Sequence, residues 1–187
     1  MLKNSRYNFF LQGAQGVGKT TLIEALKVCE ISGFQVNVVK AITRGHYLSD
    51  SLSRESETTD LDFFTYFNFH LSALKKCPYG INVFDRSLID TIVFSVLKYG
   101  KNNPIELLGK EIISTQLQEI HGIIYIPIEF SMDNDGFRNL EVEKQAKFDV
   151  ELVTIINELG IAHETIVGTV DNRLYSSKKF IVKRILS

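Results

Sequence analysis

Short apolar runs and longer amphipathic segments alternate along this chain. Five short runs of mostly apolar residues predict buried strands, at residues 7–12, 35–39, 81–84, 122–126 and 163–167. Apolar residues that recur every three or four positions predict helices, at residues 19–29, 61–74, 88–99, 104–119, 141–159 and 176–186. Because strands alternate with helices, we expect a parallel sheet covered on both faces. The pattern therefore predicts a single α/β domain over residues 1–187, a doubly wound five-stranded parallel sheet in a three-layer sandwich.

In sheets of this kind, ligands bind at the carboxyl ends of the strands. The residues that carry chemistry are therefore sought in the loops that follow the five strands, at residues 13–19, 40–59, 85–87, 127–140 and 168–173. These loops are predicted to share one edge of the sheet, so residues far apart in the sequence can form one site.

The composition is that of an ordinary soluble domain, with 44% hydrophobic residues, 23% charged residues and a net charge of -1. Proteins that coat nucleic acid usually carry a basic excess, so an extended nucleic acid is disfavoured as a partner and a small molecule is favoured. No apolar run approaches the roughly 20 residues that span a bilayer, which predicts no membrane partner. Cys29 and Cys77 lack the spacing of a disulfide scaffold or a metal knuckle, so we expect a cytoplasmic protein with two reduced thiols.

The first of the five loops contains a phosphate-binding motif. Residues 13–20 match G-x-x-x-x-G-K-[ST], with a predicted strand before them and a predicted helix after them. The glycines let the backbone wrap closely around a phosphate, and the helix start adds a positive dipole. The predicted nucleotide contacts are Gly13, Ala14, Gln15, Gly16, Val17, Gly18, Lys19, Thr20 and Thr21, with Lys19 at the β and γ phosphates and Thr20 on Mg²⁺. The alternative is a chance match in a glycine-rich turn, which the strand–loop–helix context argues against.

The third predicted strand ends in Asp85-Arg86-Ser87. A carboxylate at this edge can order Mg²⁺ through water or accept a proton from an attacking hydroxyl. An adjacent arginine can hold a second anion with its two-pronged guanidinium. The alternative is a surface ion pair that caps a strand, but the position beside the phosphate loop favours a site. Neither the N-K-x-D loop of switch GTPases nor the D-E run of motor proteins is present.

A glycine loop followed by a strand that ends in [DE]-R-[SY] resembles the nucleoside and nucleoside monophosphate kinases. Thr43-Arg44 is similar to the T-R of thymidylate and guanylate kinases, which implies that Arg44 holds the phosphate of the acceptor. Gly45-His46-Tyr47 stands where thymidylate kinases continue with E-P-G, so thymidine specificity is not implied. The alternative for Arg44 is a solvated loop arginine.

Two further loops resemble a family of small AAA-type kinases that includes the nicotinamide riboside kinase domain. Asp135-Gly136-Phe137-Arg138 is similar to the D-G-x-R segment of that family. The resemblance implies a lid at about 129–147, with Arg138 reaching the transferring phosphoryl group; the alternative is an exposed helix start. The loop that begins at Gly168 is similar to G-[ST]-x-x-x-R. It implies that Gly168, Thr169 and Val170 lie against adenine and that Arg173 stacks on it.

The helix predicted over residues 61–74 is rich in aromatic residues. In the kinases that the chain resembles, the helix at this place lines the acceptor-base pocket. Helical spacing predicts that Phe64 and Phe67 belong to the core. Phe63, Tyr66 and His70 lie on other faces, and we expect them to contact the base of the acceptor.

Together these residues predict a P-loop kinase that transfers a phosphoryl group from ATP, with Mg²⁺, to a small-molecule acceptor. The favoured acceptor is a (deoxy)nucleoside monophosphate, because Arg44 and Arg86 supply more positive charge than a neutral nucleoside needs. One alternative is a hydroxyl of a nucleoside, of nicotinamide riboside or of a modified DNA base. Another is a regulatory nucleotide-binding module that hydrolyses ATP slowly or not at all. A homodimer is compatible with each of them.

Overall fold

The computed structural model describes residues 5–40, 58–129 and 139–187, with side chains in the last range from residue 142. Its strands are β1 (Arg6–Gln12), β2 (Glu30–Ile31), β3 (Phe34–Val39), β4 (Gly80–Asp85), β5 (Gly122–Tyr125) and β6 (His163–Thr165). Its helices are α1 (Lys19–Lys27), α2 (Asp60–Lys76), α3 (Leu88–Tyr99), α4 (Pro104–Thr115), α5 (Asn139–Glu158) and α6 (Val170–Leu186), with a 3₁₀ turn at Leu117–Glu119. Within the described residues, no helix is both long and apolar enough to cross a membrane.

The sheet has the order β2-β3-β4-β1-β5-β6. Its five longer strands, β3, β4, β1, β5 and β6, pair in parallel, which confirms the predicted parallel sheet. The strand that enters the phosphate loop, β1, is central and pairs with β4 on one side and β5 on the other. In that register Leu11 lies opposite Asp85, so the end of β4 is adjacent to the start of the phosphate loop.

Helices cover both faces of the sheet and bury two apolar layers, as the three-layer prediction requires. One layer joins the sheet to α1 and α6 through residues such as Phe9, Leu22 and Ile181. The other joins it to the remaining helices through residues such as Phe10 and Leu152. Alternate residues of β1 point to opposite faces, which is why Phe9 and Phe10 belong to different layers. Because both faces are buried at the centre of the sheet, β1, β4 and β5 are mostly apolar, whereas the edge strand β6 is exposed.

Several boundaries differ from the sequence-based prediction, among them the end of α4, which stops at Thr115 before the 3₁₀ turn, and the end of β6 at Thr165. Helix α1 ends at Lys27, and the segment that follows forms a short hairpin in which β2 runs antiparallel to β3. Its turn is Ser32-Gly33, with φ angles of 53° and 83°, as a two-residue hairpin turn requires. Helix α6 begins at Val170, six residues before the predicted start, because the Thr169 side chain accepts a hydrogen bond from Asn172 N and caps the helix.

The predicted faces of α2 are partly wrong. Phe67 is buried as expected, but Phe64 is 41% exposed and does not belong to the core. Phe63, which we expected to be free for a base, is 1% exposed and joins the core layer that contains Phe67. The Thr59–Asp62 capping box starts the helix at Asp60 and sets this phase.

Candidate active site

The phosphate loop leaves β1 at Gln12 and enters α1 at Lys19. Gly13 has a φ of 146°, and a Cβ added to it would lie 2.3 Å from the carbonyl oxygen of Ile126, so no larger residue fits. Gly16 and Gly18 have φ angles of 83° and 92°, in the left-handed region that glycine adopts without strain. When residues with positive φ alternate with ordinary residues, as here, successive backbone N–H groups can line a concavity that binds an anion.

Lys19 is folded against its own loop. Its Nζ donates hydrogen bonds of 2.6 Å to the carbonyl oxygens of Gly13 and Ala14, and the residue is only 8% exposed. Burial, and next the charge of Arg86, lower the pKa of Lys19 to about 8. The carboxylates of Asp90, Asp85 and Asp149 act in the opposite direction. These charges all act on the ammonium group that the motif assigns to the β and γ phosphates.

The start of α1 suits a phosphate and a magnesium ion. Gly18 is its N-cap, its first turn contains no acidic residue, and Thr20 and Thr21 are exposed there. The positive end of the helix dipole and the free backbone N–H groups favour binding of an anion at the N-terminus of a helix. The Thr20 hydroxyl and the Asp85 carboxylate are oxygen ligands of the kind that Mg²⁺ prefers. The donor set therefore fits the metal that the motif predicts.

Asp85-Arg86-Ser87 forms the corner between β4 and α3. Arg86 has a φ of 77°, an uncommon conformation for a residue with a side chain. Its guanidinium is 45% exposed, and its Nη1 lies 3.7 Å from Asp90 Oδ1. The Oδ2 atom of the same carboxylate accepts a 2.8 Å hydrogen bond from Ser87 N, while the Ser87 hydroxyl accepts one from Gln12 Nε2 at 2.8 Å. The corner is therefore fastened both to α3 and to β1.

Two acidic residues of the site were missed by the sequence analysis. Asp90 lies three residues after Ser87, at the N3 position of a capping box in which Ser87 is the N-cap, a local signal that could have identified it. Asp149 lies on α5, where its Oδ2 accepts a 2.7 Å hydrogen bond from the hydroxyl of Tyr125 at the end of β5. Its Oδ1 is buried and has no hydrogen-bond partner among the described residues. No local pattern around Asp149 indicates this position.

The loop predicted to contact adenine is tied to neighbouring elements. Glu129, just after β5, accepts a 2.7 Å hydrogen bond from Gly168 N and forms an ion pair with Arg173. These two contacts, the ion pair first, lower the pKa of Glu129. Arg173 Nη1 also donates a 2.6 Å hydrogen bond to the carbonyl oxygen of Val17. Arg173 and Val170 lie in α6 rather than in a loop, and stacking of Arg173 on adenine stays a prediction.

The predicted base contacts of α2 are enclosed. Phe63, Tyr66 and His70 are 1%, 2% and 7% exposed. Burial lowers the pKa of His70 to about 4, and the charges of Asp90 and Arg86 act on it in opposite directions. His70 is therefore neutral at pH 7 and lies within electrostatic range of the β4–α3 corner. Its role as a base contact stays a prediction, as do those of Phe63 and Tyr66.

Arg44 and Arg138 lie outside the described residues, as does the part of the predicted lid at 130–138. Of the predicted catalytic residues, the structure brings Lys19, Asp85 and Arg86 to one edge of the sheet.

A family model described as an AAA domain matches residues 8–173. The chain belongs to this AAA domain family. No curated protein matches its sequence.

Solved structures share the fold. NadR in complex with NR and NadR in complex with NAD and AMP-PNP each give a TM-score of 0.64 at 18% identity and cover 97% of this chain. The matches cover 52% and 50% of the NadR chains, so this AAA domain spans about half their length. Thymidylate kinase from Ehrlichia chaffeensis gives a TM-score of 0.58 at 16% identity, and the match covers 95% of this chain and 99% of the thymidylate kinase chain. YorR from Bacillus subtilis in complex with phosphorylated GDP gives a TM-score of 0.61 at 11% identity, and the match covers 94% of this chain and 95% of the YorR chain. The predicted P-loop kinase-like fold is thereby confirmed.

Proposed function

We propose that this AAA domain is an ATP-dependent kinase whose acceptor is a small nucleotide or nucleoside. The observation that carries the proposal is the convergence of Lys19 with Asp85 and Arg86 at the carboxyl edge of the sheet. A module that only bound ATP would need the phosphate loop, but it would not need a carboxylate and an arginine beside it. A kinase needs such groups to orient the acceptor and to offset charge in the transition state.

The roles of the donor side follow from its geometry. The N–H groups of the phosphate loop hold the β and γ phosphates, and Lys19 moves from the carbonyls of Gly13 and Ala14 to the phosphate oxygens. Mg²⁺, when bound through Thr20, offsets charge on those oxygens. Asp85 orders water on the metal or accepts the proton of an attacking hydroxyl. Arg138 is proposed to complete the donor side from the lid.

A (deoxy)nucleoside monophosphate is the proposed acceptor. The Arg86 guanidinium is half-exposed at the mouth of the corner, and its distance of 3.7 Å from Asp90 leaves its N–H groups able to bind a phosphate. Arg44 is proposed as the second ligand of that phosphate. The base would then lie toward α2, where His70 supplies a neutral ring.

A hydroxyl acceptor is a second candidate, and one observation favours it. The carboxylates of Asp85, Asp90 and Asp149 all act on Lys19, while Arg86 is the one cation that acts on it among the described residues. An acidic surrounding suits a neutral nucleoside better than a dianionic monophosphate. The hydroxyl would transfer its proton to Asp85 as its oxygen bonds to the γ-phosphorus, while the bond from that phosphorus to the β–γ bridging oxygen breaks and ADP leaves.

The two acceptors are separated by a phosphoryl-transfer screen with ATP and Mg²⁺. The acceptors are the four deoxynucleosides, their 5′-monophosphates, the ribonucleosides and nicotinamide riboside, with Lys19→Ala as the inactive control. Arg86→Gln should raise KM for a monophosphate by about tenfold or more, because a charge-assisted hydrogen bond is lost. A neutral nucleoside should show little change in KM. Transfer to none of these acceptors above the control would contradict the small-molecule kinase proposal.

A further inference from the structure

The backbone of the phosphate loop is held from outside by two side chains. Gln145 Nε2 on α5 donates a 3.0 Å hydrogen bond to the carbonyl oxygen of Gln15. Arg173 Nη1 on α6 donates a 2.6 Å hydrogen bond to the carbonyl oxygen of Val17. The helices that carry them cover opposite faces of the sheet, so the loop is held from two sides.

These contacts set the direction of two N–H groups. No peptide bond among the described residues is cis. In a trans peptide, the carbonyl of one residue and the N–H of the next point in opposite directions. The N–H of Gly16 therefore points away from Gln145, and the N–H of Gly18 points away from Arg173. Because the two side chains approach from opposite faces, both N–H groups are directed into the space between them.

Hydrogen bonds from outside the loop matter most at Gly16 and Gly18. Glycine has no Cβ, so its flanking peptide planes rotate more freely than those of other residues. A peptide that turned over would present a carbonyl oxygen, rather than an N–H, to the negatively charged phosphates. Fixing the carbonyls in advance lowers the cost of ordering the loop when the ligand binds.

The Arg173 side chain is itself fixed, and the helix that carries Gln145 is fastened to the sheet nearby. Arg173 is paired with Glu129, whose other oxygen accepts the N–H of Gly168. Gln145 lies one helical turn before Asp149, which the Tyr125 hydroxyl holds at 2.7 Å. Arg173 is therefore presented to the loop in one orientation, and Gln145 starts from a fastened stretch of α5.

We infer that Gln145 and Arg173 are positioning residues for the donor phosphates. They hold two carbonyls of the phosphate loop outward and so aim the N–H groups of Gly16 and Gly18 at the phosphates. The inference rests on the proposed function for the identity of the ligand, ATP. It assigns to Arg173 an action on the phosphates through the loop, in place of stacking on adenine.

The test measures binding of two ligands by calorimetry: ATP with Mg²⁺, and inorganic triphosphate with Mg²⁺. Gln145→Met and Arg173→Met remove the donors while keeping much of the side-chain length. Each should weaken both ligands by the same factor, about tenfold, because a loop N–H group is no longer held toward the phosphates and its charge-assisted hydrogen bond is weakened. Glu143→Met and Lys179→Met are the matched controls, since both residues are exposed on the same two helices. Neither control should change either affinity.

A further variant, Gln145→Glu, keeps the test informative if Arg173→Met does not fold. Arg173→Met leaves Glu129 without its ion pair, so thermal unfolding of each variant is recorded. Gln145→Glu places a carboxylate against the Gln15 carbonyl, and it should weaken both ligands at least as much as Gln145→Met. If the Arg173 variant unfolds, the two Gln145 variants decide the outcome.

Two results would overturn the inference. One is affinities within twofold of the wild type for folded variants. The other is a loss for ATP with triphosphate binding retained, which would place Arg173 at the base. ATP binding without transfer to any acceptor would instead contradict the proposed kinase and leave this inference standing.

Discussion

The hydroxyl of Tyr125 donates a 2.7 Å hydrogen bond to Asp149 and so joins the end of β5 to α5 beside the phosphate loop. The pKa of Tyr125 is raised well above its usual range, first by burial and second by the hydrogen bond to Asp149. The phenol therefore remains a donor to Asp149 of α5 throughout the physiological pH range. This relationship connects a strand of the sheet to the helix that follows the predicted lid.

Tyr125→Phe should lower the free energy of unfolding by about 1 to 3 kcal/mol, because a partly buried carboxylate loses its donor. Urea denaturation checks this, with Tyr175→Phe as the control, since Tyr175 is 70% exposed. A change in the Tyr125 variant no larger than in the control would show that the bond contributes nothing to stability.

Gly13→Ala should destabilise the protein far more than Gly160→Ala. The added Cβ at Gly13 meets the Ile126 carbonyl at 2.3 Å, whereas a Cβ at Gly160 has nothing within 4 Å. Both positions have positive φ angles, so Gly160→Ala should cost about 1 kcal/mol from backbone strain alone. Thermal unfolding compares the two variants directly. Equal losses of stability would contradict the close approach of β5 to the phosphate loop.

Lys19 should make the nucleotide-free protein more stable as the pH rises from 8 to 10.5. Burial lowers the pKa of Lys19 from 10.5 to about 8, so in this window the unfolded chain binds more protons than the folded one. At about 1.4 kcal/mol per pH unit, the full effect is about 3 kcal/mol. Lys19→Met should remove that rise.

Urea denaturation at several pH values checks this, and the difference between wild type and variant isolates Lys19 from other groups. Lys27→Met, an exposed position on the same helix, serves as the control. If the wild type and Lys19→Met differ by the same amount at pH 8 and at pH 10.5, Lys19 is not buried in the way described.

His70 should give a dependence of the same sign at acidic pH, with stability that again rises with pH. Burial lowers the pKa of His70 from 6.5 to about 4, so its contribution to stability is complete above pH 6.5 and is lost as the pH falls toward 4. The loss should reach about 3 kcal/mol at about 1.4 kcal/mol per pH unit. His70→Leu should flatten this decline, whereas His163→Leu should not. The test is to measure the free energy of unfolding of wild type and His70→Leu between pH 7 and pH 4. If the two proteins lose stability in parallel as the pH falls, the prediction is refuted.

Much of the fold could be predicted because its signals are local. Central parallel strands are buried on both faces, so β1 and β4 stand out as short, mostly apolar runs, with Asn8 and Asn82 as their buried polar exceptions. The phosphate loop is recognisable because its backbone needs glycine at Gly13 and Gly18, whatever the rest of the chain does. The start of α6 was missed although Thr169 carries the signal of an N-cap.

The faces of α2 could not be predicted, because its aromatic residues surround the helix and leave its phase ambiguous. Phe63 and Phe64 are equally apolar, and only packing against the sheet buries one of them. Gln145 and Asp149 could not be predicted for a different reason. Gln145 contacts the phosphate loop, and Asp149 acts on Lys19 by its charge, from more than 120 residues away in the sequence, through the docking of α5.

The kinase proposal is tested most directly by Asp85→Asn, through parallel measurement of ATP affinity and of the rate of transfer to the best acceptor. Asparagine keeps the shape of the side chain but cannot take a proton. We expect kcat to fall by about 10²- to 10⁴-fold, because a hydroxyl acceptor loses its general base and a monophosphate acceptor loses the carboxylate that orders water on the metal, while ATP affinity stays within about twofold of the wild type. Transfer by Asp85→Asn at the wild-type rate would contradict the account.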